Sequence, residues 1–199
     1  MASTMMCTQV ASSRHQAPPR AGGGFSLVEL LVVATIAAVL LAITVPSMGA
    51  MLNSQRTTSL THTFLASLHL ARSEAIKRNG RAVMCKSATG QQCATAGGWE
   101  QGWIVFHDVN NKAQIDPDEL IIQHQGPAAA GLRLRGNAPV ASYVSYSAVG
   151  TAKLMSGAFQ AGTFTLCPAV VANGADVRLV VLGGPGRPRV QKGTAINCP

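Results

Sequence analysis

Residues 22–31 of the chain read GGGFSLVELL, and this junction decides the organisation of the whole molecule. A polar leader without acidic residues ends in glycine and meets an apolar run from Phe25 to Val45. As a helix that rises about 1.5 Å per residue, this run is long enough to cross a bilayer. Its single charge is Glu29. Because a charge at the centre of a membrane span costs about 2.5–3.5 kcal/mol on insertion scales, a carboxylate here indicates a functional group.

Two simpler explanations fit the junction less well. A secretory signal peptide has its apolar stretch before the cleavage site, whereas here the apolar stretch follows the glycines. A plain membrane anchor explains the length of the run but explains neither Glu29 nor the glycines. The leader contains Arg14 and Arg20, so the positive-inside rule predicts that it stays in the cytoplasm and that the C-terminal part of the chain faces the periplasm.

The junction resembles the processing motif of the type IV pilin and pseudopilin superfamily. The resemblance implies that residues 1–24 are a leader, that a prepilin peptidase cuts after Gly24, and that the new N-terminal Phe25 is methylated. It also implies that Glu29 pairs with the amino group of a neighbouring subunit, and a charge in hydrocarbon does need such a partner. Residues 25–52 are then a single transmembrane helix of the bacterial inner membrane. After assembly with other major and minor pilins, this helix lies in the core of an extracellular filament.

Residues 53–199 are predicted to form one periplasmic globular domain. Apolar residues recur every three or four positions before Gly80, at Leu60, Phe64, Leu68, Ala71 and Ala75. We therefore expect one long helix from Phe25 to about Asn79, where Asn-Gly is a stop signal. Pro46 predicts a kink in this helix, because its ring removes an amide donor and clashes with the preceding turn.

After Gly80 the pattern changes to short β-like runs separated by Gly, Pro, Asn and Asp. Eight strands are predicted, at residues 81–86, 103–107, 120–124, 132–135, 143–147, 163–167, 177–182 and 189–192. One long helix followed by eight strands predicts an α+β, type IV pilin-like fold. In this fold the second half of the helix packs on antiparallel strands, which form either two sheets or one strongly bent sheet.

The cysteines agree with export to an oxidising compartment. Cys7 lies in the leader, so the mature chain keeps an even set of four: Cys85, Cys93, Cys167 and Cys198. Four cysteines allow three connectivities. We favour Cys85–Cys93 and Cys167–Cys198, because each pair brackets one local segment. Zinc binding is the weaker alternative, since there is no C-x2-C spacing and no nearby histidine pair.

Two further segments narrow the resemblance. Residues 70–79 read LARSEAIKRN and residues 102–110 read GWIVFHDVN, with Cys85 at the end of the first predicted strand between them. These landmarks are similar to those of the minor pilins of the FimT and general-secretion-protein-H group. The likeness is good over about residues 22–125 and loose over the C-terminal third of the chain.

A basic, glycine-rich turn is the candidate binding site. Residues 183–193 read GGPGRPRVQKG, with three bases and no acid. Pro188 favours extended backbone at Arg187, so that Arg187 and Arg189 lie on one face and can each hold a phosphate group bidentately. Gly186 permits close approach of the backbone to a ligand.

The string Gly-Arg-x-Arg also resembles the C-terminal motif with which FimT-type minor pilins bind DNA during natural transformation. Lys192 and the nearby strand residue Arg178 are the candidates to extend the site, whereas the convergence of Lys86, Arg133 or Arg135 is left open. The net charge of +8, or +6 without the two leader arginines, also favours a polyanionic partner. The alternative for this segment is a solvated basic hairpin without a ligand.

Neither an enzyme nor a cofactor or metal site is predicted. The chain has no G-x-S-x-G elbow, no H-E-x-x-H motif and no P-loop. Residues 108–119 place oxygen-bearing side chains at EF-hand-like spacing, but Lys112 stands where a ligand belongs and Ala113 replaces the glycine of the turn. We therefore expect an acidic hairpin loop here and not a calcium site.

The sequence as a whole predicts a FimT-like minor type IV pilin that binds double-stranded DNA without sequence preference for uptake. Its expected partners are this DNA, other pilins, the prepilin peptidase and the inner membrane. The alternative is a structural pseudopilin of a type II secretion system, or a pilus-priming subunit, that binds no ligand.

Overall fold

The computed structural model describes residues 24–170, 176–194 and 198. The predicted leader therefore lies outside the described residues, with the exception of Gly24. The chain divides into two units, with the boundary in the sequence between Thr44 and Val45.

The first unit contains the apolar N-terminal stretch. Residues 24–42 are exposed, and among them are large apolar side chains such as Leu27 at 79% and Val39 at 62% exposure. In the described part of the chain, no helix is long and apolar enough to cross a membrane. The transmembrane assignment of residues 25–52 and the domain boundary at residue 53 stay predictions.

The long helix is confirmed. It is α1, Leu27–Lys77, and has 51 residues. It ends at the predicted stop signal, where Asn79 adopts a positive φ of 47° and the amide of Gly80 donates to the carbonyl of Ala75 over 3.1 Å. This is the capping pattern in which a residue in the left-handed conformation turns the chain away from the helix axis. The kink at Pro46 stays a prediction.

All eight predicted strands are found. In chain order they are β1 (Arg81–Lys86), β2 (Trp103–Asp108), β3 (Ile121–Gln125), β4 (Leu132–Gly136), β5 (Tyr143–Tyr146), β6 (Gly162–Pro168), β7 (Val177–Leu182) and β8 (Pro188–Gly193). They form two four-stranded sheets in the orders β3-β2-β1-β5 and β4-β6-β7-β8, and the strands pair antiparallel throughout. The predicted α+β fold is confirmed, and of the two arrangements left open for its strands the structure has two sheets.

The second half of α1 covers the core of the second unit, as the apolar stripe predicts. The five stripe residues are all buried, at 0–9% exposure: Leu60, Phe64, Leu68, Ala71 and Ala75. They share one core with residues of both sheets, such as Met84 of β1 and Val180 of β7. Since one side of α1 is in contact with both sheets, the helix joins them into one domain.

Phe64 is the centre of an aromatic cluster in this core. Its ring makes edge-to-face contacts with Trp99, Trp103 and Phe164, at centroid distances of 5.4, 5.2 and 4.7 Å. Such pairs are each worth about 0.5–1.5 kcal/mol beyond the burial of their apolar area. Both tryptophans are fully buried and therefore stabilise the core.

The structure pairs the four cysteines as the sequence analysis favours. Cys85 at the end of β1 is bonded to Cys93, with a Cα–Cα distance of 5.6 Å. Cys167 of β6 is bonded to Cys198, with a Cα–Cα distance of 6.0 Å. The second bond attaches the C-terminal end of the chain to the sheet that carries β7 and β8.

Candidate nucleic-acid interface

The residues of the predicted processing and assembly motif lie at the start of the described chain. Gly24 and Phe25 precede α1, and Phe25 is 82% exposed. Glu29 lies in the first turn of α1, where a negative charge interacts favourably with the helix dipole. Glu29 is exposed, and no basic side chain pairs with it among the described residues. The processing of Gly24 and Phe25 and the pairing of Glu29 stay predictions.

The basic segment forms the hairpin of β7 and β8. The two strands are paired from Val177 opposite Gly193 to Leu182 opposite Pro188, and β8 is the edge strand of its sheet. Four consecutive residues of β8, Arg189 to Lys192, are exposed. An edge strand has one side without a neighbouring strand, so its polar side chains are open to a partner.

Gly186 holds the turn of this hairpin in place. Its φ is 75°, and its amide donates to the carbonyl of Gly183 over 2.8 Å. A Cβ atom at this position would overlap the carbonyl oxygen of Gly150 and lie 3.1 Å from the ring of Tyr146. Only glycine fits both the conformation and the space. Gly186 is buried and shapes the turn, and its assignment to the binding site stays a prediction.

A second hydrogen bond fastens the turn to the preceding loop. The amide of Ala152 donates to the carbonyl of Gly184 over 3.2 Å. Arg187 therefore leaves the turn from a position that the neighbouring backbone defines. A side chain that starts from such a position loses less conformational freedom when it binds.

The side chains of Arg187 and Arg189 line one open cleft of about 440 Å³ beside this turn. Both are exposed, and they are two residues apart, which places them on the same side of an extended strand. The rest of the cleft surface comes from the turn, the loop before it and α1, with Gly183, Pro185, Val149, Thr151 and Arg72. The structure therefore brings together the two arginines of the predicted motif.

Neither arginine is neutralised by a carboxylate in the part of the chain that the structure describes. Among the described residues, no carboxylate forms an ion pair with Arg187 or Arg189, and no hydrogen-bond acceptor holds either guanidinium. Each group keeps its full charge and all its N–H donors for a partner. A planar guanidinium with free donors fits the two oxygens of a phosphate group.

Arg178 is engaged within the protein. Its Nε and Nη2 donate to the two carboxylate oxygens of Asp176 over 2.8 and 3.0 Å, and Ser54 of α1 donates to the same carboxylate over 3.0 Å. Burial raises the pKa of Asp176, but the hydrogen bonds from Arg178 and Ser54 outweigh it and hold the pKa below its usual value. The sequence contained a signal for this pair, because residues two apart in an extended segment lie on one face.

Lys192 is exposed but lies away from the cleft. In the hairpin it is opposite Arg178, and its charge contributes to lowering the pKa of Asp176. It is three residues from Arg189, so the two side chains are on opposite faces of β8. Among the three bases of the predicted motif, the structure brings together the arginines and leaves out the lysine.

The other basic residues considered do not converge on the hairpin. The Nζ of Lys86 donates to the carbonyl of Gly97 over 3.0 Å, and Arg135 forms an ion pair with Glu100 at 2.7 Å. Arg133 and Arg135 belong to β4, which is separated from β8 by two strands.

Arg72 of α1 is the cleft residue that sequence reasoning missed. The helical pattern assigns it to a polar face, and nothing in the local sequence connects it with a turn more than a hundred residues later. Only the packing of α1 against the loop that contains Gly150 brings it to the cleft.

Comparisons with known proteins agree with the architecture. A structural comparison matches the type IV minor pilin FimU of Pseudomonas aeruginosa, with a TM-score of 0.52 at 20% identity over 73% of this chain and 93% of that chain. The minor pseudopilin EpsH of the type 2 secretion system of Vibrio cholerae gives a TM-score of 0.42 at 13% identity, over 73% of this chain and 96% of that chain. The match to FimU supports the fold alone. No curated protein matched the sequence.

Two family models match the sequence itself. The prokaryotic N-terminal methylation motif covers residues 20–45, and the type II transport protein GspH model covers residues 60–186. The GspH match ends at Gly186, so Arg187, Arg189 and Lys192 lie beyond it. The methylation motif indicates a membrane-anchored pilus or pseudopilus subunit. Since the GspH model matches more than half of the chain, the protein belongs to the GspH family of minor type IV pilins and pseudopilins.

Proposed function

We propose that this protein is a minor pilin whose β7–β8 hairpin binds double-stranded DNA without sequence preference during natural transformation. The observation that carries the proposal is the pair Arg187 and Arg189. These two side chains are exposed, line one cleft at the start of the edge strand β8 and have no acidic partner among the described residues. The resemblance of Gly-Arg-x-Arg to the FimT motif supports the same function.

The chemistry of the pair favours phosphate over other ligands. A cationic cleft without a carboxylate attracts anions, and two neighbouring guanidinium groups can each donate hydrogen bonds to a phosphate of one DNA strand. Phosphate contacts position a protein on DNA but do not read its sequence. A subunit that binds any incoming DNA needs only this kind of contact.

In the proposed site, some residues of the hairpin bind phosphate groups and others hold the turn in its conformation. Arg187 and Arg189 contact phosphates, and Gly186 holds the turn from which they start. Arg178 is not included among the contacts, because Asp176 neutralises it. Lys192 lies on the other face of β8 and adds at most a weak, long-range attraction.

The N-terminal part of the proposal concerns processing and assembly. We propose that the prepilin peptidase cuts after Gly24, that Phe25 becomes methylated, and that Glu29 pairs with this amine in a neighbouring subunit. Residues 25–52 would hold the subunit in the inner membrane before assembly and in the filament core afterwards. No enzymatic activity is proposed, since the family functions as filament subunits.

The processing can be measured directly. Mass spectrometry of membranes from cells with an active pilus system should find an N-methylated peptide that begins with Phe25. Glu29→Ala should leave membrane insertion intact but keep the subunit out of sheared pili. Recovery of only the full-length chain would contradict the processing, and normal incorporation of Glu29→Ala would contradict the pairing.

The DNA-binding test compares the full-length chain in a non-ionic detergent with the double variant Arg187→Ala/Arg189→Ala. Affinity for double-stranded DNA is measured by mobility shift at about 50 and about 200 mM salt. If each arginine neutralises one phosphate, the wild type should lose about 12-fold more affinity over this range than the double variant. The non-specific Kd of the wild type should be about 10⁻⁴–10⁻⁶ M.

Arg178→Ala is the matched control in the same hairpin. Because its charge is already paired with Asp176, its removal should lower the melting temperature without changing the salt dependence. In cells, the double variant should still form pili while DNA uptake falls. Unchanged DNA binding by a folded double variant would refute the site and favour the structural pseudopilin.

A further inference from the structure

The cleft beside the hairpin has a third arginine, which comes from a different part of the chain. Arg72 lies in the second half of α1, more than a hundred residues before Arg187, and its side chain lines the same cleft. The three guanidinium groups therefore belong to two elements, with one from α1 and two from the β7–β8 hairpin.

One carbonyl group sets the position of both elements. The Nε of Arg72 donates to the carbonyl oxygen of Gly150 over 2.8 Å, and the same oxygen lies directly against Gly186. Gly150 also has a positive φ of 75°, and a Cβ there would lie 2.8 Å from Ile76 and 3.1 Å from Nε of Arg72. The helix arginine and the basic turn are thus packed against one short loop, which holds them side by side.

Within the described ranges, no carboxylate balances the charge of Arg72. Its hydrogen bond to Gly150 uses Nε, and no other acceptor holds its guanidinium among the described residues. The neighbouring Tyr146 is buried, and this burial raises the pKa of its phenol well above the usual value. Tyr146 therefore stays neutral and does not balance the charge.

Other arginines of the domain are engaged in a different way. Arg78 pairs with Glu74, Arg135 with Glu100 and Arg178 with Asp176, in each case at 2.7–2.8 Å. Three guanidinium groups of like charge line one cleft, and an anion bound there is attracted by all three.

We propose that Arg72 is a third phosphate-binding residue of this cleft, so that α1 and the β7–β8 hairpin together hold the DNA backbone. This inference rests on the proposed DNA-binding function. The bond from Nε to Gly150 orients the guanidinium, and its Nη groups remain as donors to a phosphate. The residue both positions itself on the loop and contacts the ligand.

The test measures DNA affinity against salt for the full-length chain in a non-ionic detergent and for Arg72→Gln. One phosphate contact corresponds to a slope of about −0.9 in log K against log salt. Between about 50 and about 200 mM salt, the wild type should therefore lose about 3.5-fold more affinity than Arg72→Gln. Arg72→Lys keeps the charge and should retain most of the slope, although it loses the planar fork and binds more weakly.

Arg56→Gln is the matched control, because Arg56 is an exposed arginine of the same helix that is absent from the cleft. Its slope should equal that of the wild type. An equal drop in slope for Arg56→Gln would show a general effect of net charge and overturn the inference. A lower melting temperature of Arg72→Gln with an unchanged slope would overturn it as well, since Arg72 would then only support the loop.

The same assay separates this inference from the proposed function. If the wild type does not bind DNA, the proposed function fails and the inference fails with it. If the wild type binds and Arg187→Ala/Arg189→Ala reduces the slope, while Arg72→Gln does not, only the role of Arg72 is refuted.

Discussion

The loop between β2 and β3 and the turn between β7 and β8 both carry several charged side chains, but they use these charges differently. In the β2–β3 loop the carboxylate of Asp108 accepts hydrogen bonds from the amides of Lys112 and Ala113, each over 3.0 Å. Lys112 pairs with Asp116 at 2.9 Å, and Glu119 accepts a hydrogen bond from the amide of Asp116. The charges of this loop hold its own backbone together.

In the β7–β8 turn, the backbone is held by hydrogen bonds between backbone groups and by the conformation of Gly186. The amide of Gly186 closes the turn, and the amide of Ala152 fastens it to the neighbouring loop. Arg187 and Arg189 take no part in these bonds and extend into the cleft. The comparison indicates that charged side chains keep their hydrogen-bonding groups for a ligand when other groups stabilise the backbone. Charge count alone does not separate the two loops.

The largest effect is expected from Gly186→Ala, because alanine disfavours the backbone conformation that closes the turn. An alanine at this positive φ costs about 1–2 kcal/mol, and its overlap with the carbonyl of Gly150 adds about 1–3 kcal/mol. Both the melting temperature and the affinity for DNA should fall, as thermal unfolding and mobility shift would measure. Gly157→Ala is the control, since Gly157 has a φ of 86° but nothing within 4 Å of a Cβ. An equal loss in both variants would mean that the packing of Gly186 is unimportant.

A smaller effect is expected from Asp108→Ala, which removes the carboxylate that holds the β2–β3 loop. Asp108 is 1% exposed, and its loss leaves two backbone amides without their acceptor. The free energy of unfolding should fall by about 2 kcal/mol, whereas the salt dependence of DNA binding should not change. Lys112→Ala in the same loop should have no measurable effect on stability, because its ion pair is on the surface. A changed salt slope in Asp108→Ala would break the distinction between the two loops.

The smallest effect is expected on the pH dependence of stability, from the ion pair between Asp176 and Arg178 at the start of β7. The folded-state pKa of Asp176 is lowered, so its pair with Arg178 contributes stability that is fully present above the unfolded pKa of about 3.9. This contribution is lost as the pH falls through the folded pKa. Asp176→Asn should therefore melt below the wild type at neutral pH, and the difference should shrink in acid. Asp118→Asn, at an exposed loop position, should show no such trend. A difference that is independent of pH would refute the role of the charge.

Much of the fold could be predicted because its signals are local. The spacing of Leu60, Phe64 and Leu68 encodes the buried face of α1, and Asn79-Gly80 encodes its end. Each strand is a short β-like run between glycine, proline or acidic turn residues, and these runs depend only on near neighbours along the chain. Each disulfide joins the two cysteines that enclose one local segment of the chain, as the sequence analysis favours.

The candidate site could be predicted only in part. Arg187 and Arg189 follow from a motif of a few residues, and the structure places them together in one cleft. Lys192 was grouped with them because it is near in sequence, but the two-residue period of β8 turns it to the opposite face. Arg178 is also a candidate because it is near the motif in sequence, but in the structure it forms an ion pair with Asp176.

The sequence alone is enough to recognise the prepilin-like junction, the order of helix and strands and the glycine-rich turn, and it favours one of the three cysteine pairings. These features arise from residues that are close in the chain, where backbone preferences and side-chain periods act directly. Which of the described charges form ion pairs, and that Arg72 of α1 lies at the cleft of the hairpin, depend on the tertiary structure. The physical reason is that a charge interacts with whatever lies a few ångströms away, and for Arg72 this environment is assembled only when helix, loop and hairpin pack together.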